Sequence, residues 1–287
     1  MTIDVPTATT FDLGGDLTVN RIGYGTMQLT GPGVWGPPSD LDAARGVLRR
    51  VVDEGVNFLD TADAYGPCTV EELICEALYP YPENLVIATK VGLVRTGPSH
   101  GDWIPVGRPE YLRQQVEMCL RRLRLERIDL LQLHRIDPTV PLVDQIGVLA
   151  DLRQEGKIRH IGLSEVSIRE LQSAQKIAPI ASVQNLFNLA DQSAHDLLEY
   201  AQAHGIAFIP YFPLATDGLP DGGAILDRIA NDHGSTPKQV ALAWLLKRSP
   251  VLVPIPGTSS IPHLLDNLRA ARIDLAAHEI SELSISD

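Results

Sequence analysis

The chain is short of basic charge: 24 Lys and Arg stand against 36 Asp and Glu, a net charge of −12. That balance argues against nucleic acid or an acidic membrane as the main partner, although a local patch could still hold a small anion. No apolar run reaches the roughly 18 residues that a bilayer span requires. The opening MTIDVPTATTFDLGG carries an acidic residue and neither a basic nor an apolar signal region, so the expectation is no secretion and a cytoplasmic location. Cysteine is scarce. Cys68, Cys75 and Cys119 are odd in number and lack metal-ligand spacing, which suits buried thiols in a reducing compartment. His195 and His204 in HDLLEYAQAH lie too far apart for an H-E-x-x-H pair, so no metal site is expected. Neither G-x-G-x-x-G after a strand nor G-x-x-x-x-G-K-[ST] occurs, which leaves a Rossmann or P-loop site unsupported. A composition shift or linker is missing too, and one domain over residues 1–287 is expected.

What is present alternates. TFDLGGDLTV reads as a β-hairpin with Gly14-Gly15 in its turn. Short runs rich in Val, Ile and Leu follow near 21–26, 56–60, 85–90, 129–134, 158–163, 181–184, 206–211 and 251–255, as expected of strands buried on both faces. Helical periodicity fills the gaps: Leu41, Ala44, Leu48 and Val51 share one face, as do Val116, Leu120 and Leu123. In EGVNFLD, EGKIRHIGLS and HGIAFIPY a glycine (Gly55, Gly156, Gly205) ends a helical pattern just before a strand. Eight strands alternating with helices predict an α/β fold, a (β/α)8 TIM barrel with an N-terminal β-hairpin cap, and a doubly wound sheet is the competitor. Two Gly- and Pro-rich loops, 27–39 with Trp35 and 91–108 with Trp103, follow strands and belong on the catalytic rim as a lid or pocket wall.

The ends of three strands carry the chemistry. FLDTADAYG, residues 58–66, closes a strand on Asp60 and places Tyr65 five residues later. NLVIATK ends on Lys90 and IDLLQLH on His134. In a parallel barrel such ends converge on one rim. There Lys90 as an ammonium would lower the Tyr65 pKa, Asp60 would hold Lys90 charged, and His134 would orient a carbonyl. None of the four carries a hydride, so carbonyl reduction would need a nicotinamide cofactor. Lys90 also permits a second reading, a Schiff-base lyase or aldolase, and a third is a non-catalytic nicotinamide-sensing subunit. For an anion site the best stretch is VPIPGTSSIPHLLDNL, residues 253–268, where a Gly-Thr-Ser-Ser turn opens a helix near Ile261.

With these motifs in place, the chain resembles the aldo-keto reductase family over nearly its whole length. The resemblance implies Asp60, Tyr65, Lys90 and His134 as the catalytic tetrad and a (β/α)8 barrel capped by a hairpin. It implies a nicotinamide site of Ser164 and Glu165 in IGLSEVS, Gln184 in VQNLFN, and the stacking Tyr211 in PYFPL. Gly25, Thr26, Met27, Asp60, Phe212, Pro213, Leu214 and Ile255 complete the implied cofactor bed. Gly257, Thr258, Ser259 and His263 would face a 2′-phosphate, and Asn267 the adenine. Two departures stand out. Glu165 replaces the family's usual Asn, and Gly257 and His263 occupy the place of a basic pair, so NADP(H) is expected with NAD(H) as the alternative. GPGVWGPPSD and EALYPYPENL resemble the branch of bacterial pyridoxal reductases (pyridoxine 4-dehydrogenases), which implies a small-molecule carbonyl substrate, pyridoxal first. A flat hydroxylated pyridine needs an aromatic wall and a few polar groups, for which Trp35 in the first loop and Arg135 and Asn185, each just past a strand end, are the candidates.

Overall fold

The computed structural model describes residues 10–99, 103–215 and 223–284. The N-terminal residues 1–9 used in the leader reading, and 100–102 of the second loop, lie outside them. β1 (Thr10–Leu13) and β2 (Leu17–Asn20) pair antiparallel as the expected hairpin. Seven parallel strands follow in one curled sheet: β3 (Tyr24–Gly25), β4 (Phe58–Asp60), β5 (Val86–Val91), β8 (Ile128–Leu133), β9 (Ile158–Ser164), β10 (Ile180–Gln184) and β11 (Ala207–Phe208). A second antiparallel hairpin, β6 (Leu93–Arg95) with β7 (Trp103–Pro105), stands inside the loop that follows β5.

The eighth segment closes the barrel without becoming a regular strand. Phe208 N donates to Val251 O, Val253 N to Phe208 O, and Gly23 N to Pro254 O. Pro254 and Pro256 have no N–H to give, so a full ladder cannot form along 251–256 although the backbone lies in strand position. Barrel closure survives because one donor of the segment itself, Val253 N, and two from the flanking chain, Phe208 N and Gly23 N, suffice to join the two edges.

Among the described residues ten α-helices pack outside: α1 (Leu41–Asp53), α2 (Thr69–Leu78), α3 (Pro109–Leu123), α4 (Leu142–Gln154), α5 (Ile168–Gln175), α6 (His195–Ala203), α7 (Gly223–Asp232), α8 (Pro237–Arg248), α9 (Ile261–Arg269) and α10 (Ala277–Ser284). On α1 the buried face is Ala44, Val47, Leu48 and Val51, while Leu41 lies at the exposed N-terminus, where no preceding turn covers it. Val116, Leu120 and Leu123 are buried on α3 as their spacing predicts. Gly55, Gly156 and Gly205 all adopt positive φ just past a helix, a conformation that costs other L-residues about 1–2 kcal/mol. Cys75 and Cys119 are buried and Cys68 is partly exposed. No described helix is long and apolar enough to cross a membrane.

Two separate cores follow from strand alternation. Leu59, Ile87 and Leu131 point outward beneath the helices. Phe58, Val86, Ala88 and Leu130 point inward, where Leu13, Leu17 and Val19 of the hairpin seal the barrel floor. Continuing the inward period of two along β4, β5 and β8 reaches Asp60, Lys90 and Gln132, and one step later His134. The pleat that builds the apolar interior therefore carries these polar groups to its upper end.

Candidate active site

At that end the structure brings together Asp60, Lys90 and His134 from three strand ends and Tyr65 from the turn after the first. Lys90 is wholly buried, and its Nζ donates to Asp60 Oδ2 at 2.5 Å, Thr61 O at 3.0 Å and Tyr65 Oη at 3.2 Å. Three acceptors match the three ammonium protons. Burial alone would depress Lys90, but the Asp60 charge and the hydrogen bonds to Asp60 and Tyr65 outweigh it, and the pKa is held above its ordinary value. An imine-forming lysine must be neutral and reachable. Lys90 is neither, so the Schiff-base reading fails on geometry.

Tyr65 departs from expectation. Burial is the largest influence on its phenol and raises the pKa, Lys90 pulls it back, and the net position remains above the ordinary value. A phenolate stripped of water is more costly here than one neighbouring ammonium repays, the more so because that ammonium is already shared with Asp60. The phenol is thus a protonated donor at neutral pH. Burial likewise drives His134 far down, helped by Lys90 and Arg135, so the imidazole is neutral. Its ring meets Tyr65 edge-on on one side and Trp103 edge-on on another, both at 6.1 Å between centroids. Its Nδ1 is buried without a partner among the described residues.

Asp60 is held by more than Lys90. Gln132 Nε2 and Gln184 Nε2 donate to Oδ1 at 3.0 and 2.9 Å, and the two amides touch each other at 3.3 Å. Sequence reading passed over Gln132, although its place two residues before His134 in IDLLQLH was a usable signal. Thr26 Oγ1 donates to Asp60 O, tying the end of β3 to the same strand.

Above these groups opens a cavity of about 830 Å³, within the range of small-molecule sites. Asp60, Tyr65, His134, Arg135, Ser164 and Gln184 line its depth. Gly25, Thr26 and Met27 form one side, and Tyr211, Phe212, Pro213 and Leu214 another, with Ile255 and Gly257 between. A Cβ on Gly25 would stand 2.6 Å from Ile255 O, and one on Gly257 2.6 Å from Gly25 O, so this edge is a backbone-only cradle. Ser164 Oγ accepts from Arg135 Nη1 at 3.0 Å.

Other expected contacts lie elsewhere. Glu165 is exposed, with φ of 54°, a left-handed conformation that Asn tolerates better than Glu. Its Oε1 accepts from Leu186 N at 3.1 Å, and the carboxylate also meets the Tyr211 hydroxyl, so it is held by these neighbours. Asn185 grips Val166, donating to its O at 3.0 Å and accepting from its N at 3.3 Å, and does not reach the cavity wall. Trp35 also misses it: its backbone pairs with Gly66 and its ring faces Arg95. Trp103, carried inward by the β6–β7 hairpin, is the indole that lines the cavity. At the far end Thr258 O accepts from Tyr24 Oη at 2.5 Å, Asn267 is buried, and Ser259 and His263 are exposed at the start of α9. Ser260, the residue before α9, makes no side-chain cap, which leaves N–H groups of the first turn open to an anion.

The chain is 50% identical over 269 residues to an uncharacterised oxidoreductase of Schizosaccharomyces pombe, covering 94% of this chain and 87% of that one. It is 42% identical over 280 residues to pyridoxine 4-dehydrogenase of Escherichia coli, covering 96% of each. Its fold matches an aldo-keto reductase from Klebsiella pneumoniae, solved in complex with NADPH, with a TM-score of 0.81 at 28% identity over 96% of this chain and 93% of that one. The Aldo/keto reductase family model matches residues 21–287, and the chain belongs to that family.

Proposed function

We propose that the protein reduces an aldehyde or ketone with NADPH, with Tyr65 as proton donor. The observation that carries this reading is the ammonium of Lys90 bonded to both Asp60 and Tyr65 at the floor of the cavity. In that cavity NADPH, once bound, would supply the hydride for the carbonyl carbon. Tyr65 gives its proton to the carbonyl oxygen, and the phenolate left behind is stabilised by Lys90 at 3.2 Å. Asp60 keeps Lys90 charged throughout the step, so the acid is regenerated from solvent without moving the lysine. Neutral His134 can donate a hydrogen bond to the same oxygen, fixing the carbonyl before reduction. Together such acid catalysis and orientation are worth roughly 10²–10⁴ in rate.

The backbone cradle of Gly25 and Gly257, the half-buried Tyr211 ring and the open first turn of α9 suit a long dinucleotide. Ser164 and Gln184 would meet its carboxamide, and Thr258, Ser259, His263 and Asn267 its adenine end. Glu165, engaged with Leu186, takes a smaller part than an Asn would. Pyridoxal, reduced to pyridoxine, is the preferred substrate, supported by the relative of that activity and by Trp103 and Arg135 on the wall. The test follows nicotinamide absorbance with NADPH and NADH against pyridoxal, aryl aldehydes and propanal. Turnover of pyridoxal above the generic aldehydes in kcat/KM is expected. No turnover of any carbonyl with either cofactor would overturn the proposal, and equal kcat/KM values would remove pyridoxal from it.

A further inference from the structure

Two loops meet above the cavity at one side chain. Arg95 is buried and stands directly opposite Trp103 in the β6–β7 register. Its guanidinium lies 3.8 Å from the centroid of Trp103 and 5.6 Å from that of Trp35. Nη1 donates to Val34 O at 2.9 Å, and Nη2 to Gly33 O at 2.8 Å and Gly97 O at 2.9 Å. The loops touch closely enough that a Cβ on Gly33 would stand 2.4 Å from Pro98 O. Gly33, Val34, Leu93, Pro98 and Trp103 all face the cavity, and Trp103 meets His134 edge-on.

Two three-residue strands hold little by themselves. A planar fork bonded to three carbonyls has a fixed plane, and stacking passes that plane to the indole beside it. We infer that Arg95 is a positioning residue that sets the Trp103 wall, and that the wall so fixed selects planar aromatic aldehydes over flexible aliphatic ones. A flat ring gains contact from a preset indole without ordering it first, whereas a short alkyl chain has little surface to stack. The inference rests on the carbonyl-reductase reading.

The test compares wild type, Arg95→Met and Arg95→Lys on pyridine-4-carboxaldehyde and propanal with NADPH. Arg95→Met should lower the aryl-to-propanal ratio of kcat/KM about tenfold, chiefly through a higher aryl KM. Arg95→Lys, which keeps the charge and loses the fork, should recover only part of it. Tryptophan emission should shift to the red in Arg95→Met as Trp103 loses its cover. If Arg95→Met does not fold, Arg95→Lys carries the test alone, expected at about a threefold lower ratio by the same reasoning. A ratio unchanged in the folded variants, or an equal loss for both aldehydes, would overturn the assignment. A wild-type enzyme that reduces neither aldehyde would instead overturn the reductase reading, and an unshifted emission would then decide against Arg95 independently.

Discussion

Asp60→Asn is the most revealing perturbation of this site. In the native protein the carboxylate and the Lys90 ammonium are both buried, 2.5 Å apart. The amide keeps an acceptor for Gln132 and Gln184 but turns a neutral N–H donor toward Lys90. Removing one partner of a buried ion pair costs about 3–5 kcal/mol, because the survivor is left uncompensated. Lys90 can escape by losing its proton. From an ordinary value of 10.5, that escape costs at most about 5 kcal/mol at pH 7, so the two figures agree. For a chain of this size the loss corresponds to a fall in Tm of roughly 6 °C or more.

The pH dependence has a definite sign. In wild type the folded pKa of Lys90 is raised, so its contribution is fully present below about 10.5 and is lost as pH rises through the folded value. In Asp60→Asn the folded pKa falls below the unfolded one, so the penalty is present at neutral pH and fades as pH climbs toward 10.5. The difference between the two proteins should therefore be widest near pH 7 and narrow in alkali. Thermal unfolding by circular dichroism at pH 7, 8.5 and 10 reads it directly. A variant Tm within about 2 °C of wild type at pH 7, or a deficit constant to pH 10, would show that Asp60 is not what keeps Lys90 charged.

Tyr65→Phe should cut kcat by roughly 10²-fold or more while cofactor affinity, read by fluorescence titration, changes little; near wild-type turnover would dismiss Tyr65 as the acid. Gln132→Met removes one of two donors to Asp60 Oδ1 and should cost about 1–3 kcal/mol in urea unfolding, with a smaller loss of kcat than Asp60→Asn. An unaltered urea midpoint would mean that Gln184 alone suffices. His263→Ala should weaken NADPH more than NADH in equilibrium binding if the exposed first turn of α9 meets the 2′-phosphate; equal losses would place the phosphate elsewhere.

Much of this protein is legible in its sequence because the determining patterns are local. Strand runs, helix-ending glycines and the hairpin turn each follow from the conformational preference of a few adjacent residues. A parallel barrel then carries every strand end to one rim, which is why Asp60, Lys90 and His134 could be grouped before their distances were known. What escaped depends on contacts between distant segments. Pro254 and Pro256 deny the last segment a regular ladder, yet only the approach of β3 and β11 shows that three bonds still close the barrel. The spacing in IDLLQLH puts Gln132 on the inward face with His134, but its bond to Asp60 Oδ1 at 3.0 Å depends on two strands distant in sequence. The Tyr65 pKa turned on how much water burial removes, a property of everything packed around the phenol. Trp35 and Trp103 look alike as loop aromatics. Tertiary structure chose between them, because the β6–β7 hairpin folds Trp103 inward while Trp35 is left behind Arg95.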